Sequence, residues 1–257
     1  MRFRIRFVMA LILILGTVPL QALPWGKSWA RGRELPRPVG IGIDVFAMDQ
    51  EYDVVELQFT APGVSVPSVT GLDVENAVSE INLKVDAWLL PFLNVFALVG
   101  ELEGKTVVDL EGSNISALLP FDTFRFDYDG TVYGGGVTLA GGGERYFGSL
   151  TASYTETDLG GDFDSAVEAF VLMPKIGLQG DKGAFWIGAF ILDTSETHSG
   201  KIPVPFLGQV DFDLELKERD STNFLVGGSV TWDHLTLTLE GGFSKRSTLL
   251  MSFGYRF

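Results

Sequence analysis

Few residue types in this 257-residue chain could do chemistry. It has no cysteine, so disulfides, thiolate metal sites and a cysteine nucleophile are excluded. It has two histidines. His198 lies in Asp193-Thr194-Ser195-Glu196-Thr197-His198-Ser199-Gly200. In an extended chain Glu196 and His198 share a face about 7 Å apart. Glu196 could orient the imidazole while a hydroxyl from a neighbouring strand attacks, since histidine can take and return a proton near neutral pH. Ser199 would point to the opposite face. The plainer reading is a loop histidine among turn-forming residues, so His198 and Glu196 stand as candidates and no catalytic residue is assigned. Asp158, Asp162 and Asp164 surround Gly160 and Gly161, and their oxygens suit a hard cation such as Ca²⁺. The spacing is not an EF-hand loop and lacks its closing Glu, so a solvated hairpin loop serves as well and no metal is assigned. The runs Gly134–Gly136 and Gly141–Gly143 precede no Gly-Lys-Ser/Thr, which argues against phosphate binding, and strand bending and a turn account for them. No cofactor is implied.

The elements that must hold these groups read as strands. Val39, Ile41, Ile43, Val45 and Ala47 share a face opposite Gly40, Gly42 and Asp44. Ile81, Leu83, Val85, Ala87 and Leu89 oppose Glu80, Asn82, Lys84, Asp86 and Trp88. Leu235, Leu237, Leu239 and Phe243 oppose Thr236, Thr238 and Glu240. A period of two with one large apolar face marks strands that are greasy on one side. Short connections at Leu89–Phe92, Gly141–Arg145, Gly180–Gly183 and Asp233–His234 alternate with long polar stretches at Asp49–Asn76, Glu111–Gly130, Leu159–Ser165 and Ser195–Gly208. Lys245–Arg246 is a tight turn on the long-loop side. Pro174, which lacks an N–H, is expected to mark a bulge or a ladder terminus. Gly208–Lys217 and Asn223–Trp232 alternate on one parity and read as one interrupted strand. That gives ten strands. Eight is an alternative, and twelve would follow if the two pieces are separate and Val54–Thr60 is a further strand.

The N-terminus has the three parts of a secretory signal. Arg2, Arg4 and Arg6 precede an apolar run from Phe7 to Val18, and a small residue, Ala22, marks the expected cut. Residues 1–22 are therefore read as a signal peptide, 23–37 as a basic, aromatic periplasmic segment and 38–257 as the barrel. Segment 23–37 is expected to be a tail, or to tuck into an acidic barrel mouth. The later sequence offers no apolar run of the roughly 20 residues a spanning helix needs. Inside hydrocarbon every backbone N–H and C=O must be paired, so strands cross a membrane only as a closed barrel.

The last residues make this specific. Leu249, Met251, Phe253, Tyr255 and Phe257 alternate with Leu250, Ser252, Gly254 and Arg256, and the chain stops on Phe257. This strand resembles the closing strand of bacterial outer-membrane β-barrel proteins. The resemblance implies an all-β, antiparallel transmembrane barrel of meander topology, in the outer membrane of a Gram-negative-type envelope, with both termini periplasmic. It also implies that Phe253, Tyr255 and Phe257 serve as the signal read by the barrel assembly machinery. Trp88, Phe92, Trp232, Tyr255 and Phe257 read as an interfacial girdle.

If the apolar faces meet lipid, Asp44, Glu80, Lys84, Asp86, Glu168, Glu240 and Arg256 point into the lumen. A narrow barrel interior is largely filled by side chains, and buried charges there must pair or neutralise. Lys84 and Arg256 are too few for five carboxylates. The remainder would be protonated, solvated, metal-bound or matched by the basic N-terminal segment. The formal charge is −14, and loss of a signal with three Arg and no acid makes it more negative. This disfavours nucleic acid. It suits outer-membrane lipids and lipopolysaccharide, whose phosphates divalent cations could bridge to carboxylates. Oligomeric state is not encoded in these patterns. The reading is a non-enzymatic protein with a structural, surface-interaction or limited solute-passage role. The alternatives are a small porin-like channel and a rim enzyme acting on lipid A or phospholipid.

Overall fold

Alternation becomes strand through most of the computed structural model, which describes residues 25–26, 28, 35, 37–61, 64–65, 72–110, 123–160, 164–204, 208–218 and 220–257. The expected signal at 1–22 and most of 23–37 lie outside the described residues. The strands are β1 (Val39–Ala61), β2 (Val64–Ser65), β3 (Asp73–Leu90), β4 (Leu93–Asp109), β5 (Thr123–Gly142), β6 (Tyr146–Gly160), β7 (Asp164–Gly180), β8 (Gly183–Val204), β9 (Gly208–Glu218), β10 (Thr222–Trp232), β11 (Leu235–Phe243) and β12 (Ser247–Arg256). All pairings are antiparallel, and β12 closes on β1 from Gly40↔Arg256 to Asp49↔Ser247. The result is a closed barrel of ten staves in meander order.

β9 and β10 are two pieces of one stave. Both pair with β8, β10 along Gly183–Ile191 and β9 along Ser195–Val204. Val54–Thr60 belongs to β1. Pro174 neither ends nor bulges its strand. It pairs with Leu150, and the β7–β8 ladder passes it and resumes in the same register at Lys175↔Gly188. The missing N–H thus coincides with a local gap at Met173 and Pro174, with no change of register.

The staves differ in length, and this changes the barrel along its axis. β11 and β12 have 9 and 10 residues, whereas β1 has 23. At about 3.3 Å per residue these are roughly 30 Å and 75 Å. Where the β11–β12 hairpin ends, β1 leaves β12 and pairs directly with β9, from Tyr52↔Glu218 to Thr60↔Asp211, with a bulge between Val54 and Glu56. The ten-stranded base therefore continues as an eight-stranded barrel, built from β1, β3 to β8 and β9. Asn223 seals the step. Fully buried, it donates to the Arg246 carbonyl at 2.8 Å and accepts from the Lys245 N–H at 3.2 Å. The Arg246 guanidinium lies 5.8 Å from the Phe190 ring centre and bonds the Asp220 carbonyl.

The two sections have opposite faces. Around the base the outward residues are large and apolar, among them Ile43, Ile81, Ile176, Ile187, Leu239 and Met251. In the eight-stranded section the apolar residues turn inward. Val54, Val74, Val108, Leu110, Val132 and Leu216 are each at most 4% exposed. Glu75, Glu103, Asp127, Asp129, Asp213 and Glu215 stand exposed outside. The expected long polar loops are thus partly strand: β1 runs to Ala61, β5 starts at Thr123 and β8 reaches Val204. Water on the outer wall demands polar side chains there, so these strands read as loops.

Candidate functional site

The ten-stranded base encloses a chamber of about 660 Å³. Toward the short-turn end its walls are charged and paired. Lys84 Nζ meets Asp44 Oδ2 at 2.6 Å, and Ser252 donates to Asp44 Oδ1 at 2.5 Å. Arg256 pairs with Asp86, which also accepts from Asn94 Nδ2 at 2.6 Å. Lys175 Nζ meets Glu240 Oε2 at 2.5 Å, and Trp186 Nε1–H donates to the same oxygen at 2.6 Å. Two carboxylates on one wall and one on another are thus neutralised locally, as a low-dielectric interior requires.

Higher in the chamber one wall is apolar. Phe46 stacks on Phe190 with ring centres 6.4 Å apart, and Leu192, Leu225, Met48, Val171 and Met173 pack around them. The facing strand β6 lines the lumen with hydroxyls, from Ser149 through Thr157. At the level of the step, polar groups roof the chamber. Tyr52 donates to Glu196, and Gln50 Nε2 donates to the Tyr52 oxygen at 2.5 Å. Asn76 Nδ2 donates to Tyr128 at 2.7 Å and to Thr106 at 2.9 Å. The Tyr128 ring occupies the space a side chain at Gly104 would need. Burial, then the Glu196 charge, holds both the Tyr52 and the Tyr128 hydroxyls above the ordinary tyrosine range.

The chamber brings together Asp44, Glu80, Lys84, Asp86, Glu240 and Arg256. Glu168 is not among them. It is exposed on the outer face of β7, hydrogen-bonded to Tyr154 across the β6–β7 ladder. It stands opposite Glu156 of β6, on the outward parity of a strand that continues past the apolar outer face. Trp88, expected in the girdle, lines the chamber, while Phe92, Trp232, Tyr255 and Phe257 are exposed outside. Lys175, paired with Glu240 in the chamber wall, is a lining cation that sequence reasoning missed. The alternation Val171, Met173, Lys175 against Phe170, Ile176 and Leu178 was the available signal.

Glu196 is 4% exposed inside the barrel and committed to Tyr52, away from the outer wall. His198 follows it in β8, between Ser165 of β7 and Leu214 of β9, and its side chain lies outside the described residues. Asp158 is exposed near the end of β6, opposite Ala166. Asp164 pairs with Ser199, and Asp162 lies outside the described residues. Among the described residues no group of three His, Cys, Asp or Glu is arranged to hold a metal ion. Segment 23–37 touches the short-turn end at Trp25 and Arg37. Trp25 N–H donates to the Leu89 carbonyl at 2.8 Å, and Arg37 pairs with Asp233 at 3.0 Å.

No protein-family model matches this chain, and no curated protein sequence does. Solved structures that resemble it are bacterial outer-membrane barrels. The outer membrane protein OprG from Pseudomonas aeruginosa is 13% identical over 87% of this chain and 97% of its own, with a TM-score of 0.46. The outer membrane protease OmpT from Escherichia coli is 13% identical over 86% and 97%, with a TM-score of 0.43. The transport unit of the autotransporter AIDA-I from Escherichia coli is 9% identical over 88% and 92%, with a TM-score of 0.38. The likeness is of barrel to barrel, and no activity passes from these proteins to this one.

Proposed function

We propose that this chain is an integral outer-membrane protein whose ten-stranded base sits in lipid and whose eight-stranded extension meets the medium. Its role is surface interaction rather than catalysis or steady conduction. One observation carries this reading: the faces of the barrel reverse at the β11–β12 tip. Below the tip, exposed Leu, Ile, Phe and Met suit hydrocarbon, and the strands have no free edge. Above it, packed valines and leucines fill the interior and carboxylates cover the outside. A filled interior favours a non-conducting barrel over a porin-like channel. The burial of Glu196 on Tyr52 weakens a rim dyad with His198.

The acidic outer wall fits divalent cations that bridge carboxylates to lipopolysaccharide phosphates. The aromatic end of β12 fits recognition by the assembly machinery. The short turns then face the periplasm, with both termini of the mature chain. Planar-bilayer recording of the refolded, full-length protein tests the reading. A silent bilayer is the expected result, and stepwise conductance from folded protein would replace this proposal with the channel. Lipid A and phospholipid masses should be the same with and without the protein. A mass change abolished by His198→Ala would favour the rim enzyme.

A further inference from the structure

The chamber walls carry more acceptor chemistry than the protein itself satisfies. Its described ionisable lining has five carboxylates, Asp44, Glu80, Asp86, Glu196 and Glu240, against three cations, Lys84, Lys175 and Arg256. Each cation is bonded to a carboxylate other than Glu80. The partner the structure gives Glu80 is the amide of Asn82, at 3.0 Å. Asn82 is itself 6% exposed, and its Oδ1 is buried without a hydrogen-bond partner. Glu80 and Asn82, two lining residues two apart on β3, thus share one hydrogen bond, and the Asn82 oxygen over Gly100 lacks a donor.

Apolar surface adjoins these acceptors. Phe46 stands directly opposite Glu80 across the β1–β3 ladder, and both line the chamber. Phe46 stacks on Phe190, with Met48 and Met173 against the pair. Aromatic faces attract cations, and thioethers adapt to varied apolar shapes. An ammonium brings three donors and no acceptor. It could bond Glu80 and Asn82 Oδ1 together, and its charge would be matched as it leaves water. An anion would meet an excess of carboxylates.

We propose that the chamber binds a small amphipathic cation, a primary ammonium on a short aromatic or alkyl body. The ammonium sits on Glu80 and Asn82 Oδ1, and the body lies against Phe46 and Phe190.

Two probes of the same skeleton and opposite charge, 4-phenylbutylammonium and 4-phenylbutyrate, test this on the refolded, full-length protein. A ligand that binds only the folded state raises its unfolding temperature. The readout is the temperature at which the folded band is lost on a semi-native gel. An upward shift with the ammonium alone is expected, lost in Glu80→Gln and retained in Glu168→Gln, whose carboxylate is on the outer wall. Equal shifts from both probes, or a shift that survives Glu80→Gln, would overturn the proposal. If Glu80→Gln does not fold, Asn82→Ala and Phe46→Ala decide. Loss of the ammonium response in either supports the site, and retention in both overturns it. The readout does not involve conductance or lipid mass, so its failure is distinct from failure of the surface-barrel reading.

Discussion

Replacing Lys175 by Met removes the one ammonium that neutralises Glu240. The Glu240 side chain is 4% exposed and that of Lys175 15%, so water replaces the lost partner poorly. Glu240 would keep a single hydrogen bond, from Trp186 Nε1. Breaking a buried pair from one side costs about 3–5 kcal/mol. The modest exposure of Lys175 favours the low end, about 3 kcal/mol, which is on the order of a hundredfold in the folded-to-unfolded ratio. Removing both charges, in Lys175→Met with Glu240→Leu, deletes the stranded anion as well and should recover most of the loss. The Trp186 indole N–H then lacks its acceptor, so recovery stays incomplete. Guanidinium unfolding from phospholipid vesicles, followed by tryptophan emission, gives both free energies. A single variant within about 0.5 kcal/mol of the parent would refute the pairing, because that is the range of an uncoupled surface change. So would a double variant that loses the sum of the two single losses.

Other expected outcomes follow from the same geometry. Leu239→Arg, outward between Gly228 and Met251, should cost about 2–4 kcal/mol if it lies near the midplane, and Thr238→Arg, inward, should cost less; equal losses in vesicle unfolding would contradict the facing. Deleting Phe257 should lower the yield of folded barrel in cell envelopes, and an unchanged yield would count against its role in assembly. Alkaline titration at 295 nm should find at least two of the six tyrosines, Tyr52 and Tyr128, unionised at pH values where an ordinary tyrosine, near pH 10, has titrated. Their folded values exceed the unfolded one, so their stabilising contribution is complete below about pH 10 and is lost as pH climbs through the folded values; six tyrosines titrating together near pH 10 would rule this out.

Much of the barrel was legible because lipid and lumen impose a strict period of two. Where both hold, as in Ile81–Leu89 or Leu249–Phe257, the alternation reads directly. Two things were not legible. The first is the change of solvent along a stave. The outward residues of β4 pass from Val99 to Glu101, Glu103 and Lys105, and the inward ones remain Leu102, Thr106 and Val108. A reading that equates polar stretches with loops breaks there, and it also misplaces Glu168. The second is partner exchange. Nothing local in Tyr52–Thr60 says that β1 abandons β12 for β9, because the cause is the shortness of a hairpin nearly two hundred residues away. The chamber charges were legible as a face, but the pairing of Lys175 with Glu240 joins β7 to β11, and only the closed ring sets that distance.

The reversal of faces at the β11–β12 tip is tested most directly by single spin labels along β4. The chain has no cysteine, so each label position can be introduced alone. In lipid vesicles, labels at Val95 and Val99 should collide with oxygen, and labels at Glu101, Glu103, Lys105 and Asp109 with a water-soluble nickel chelate. Labels at Leu102, Thr106 and Val108 should be immobile and shielded from both. Oxygen contact continuing along the odd positions to Asp109, or chelate contact at Leu102 and Val108, would contradict the account.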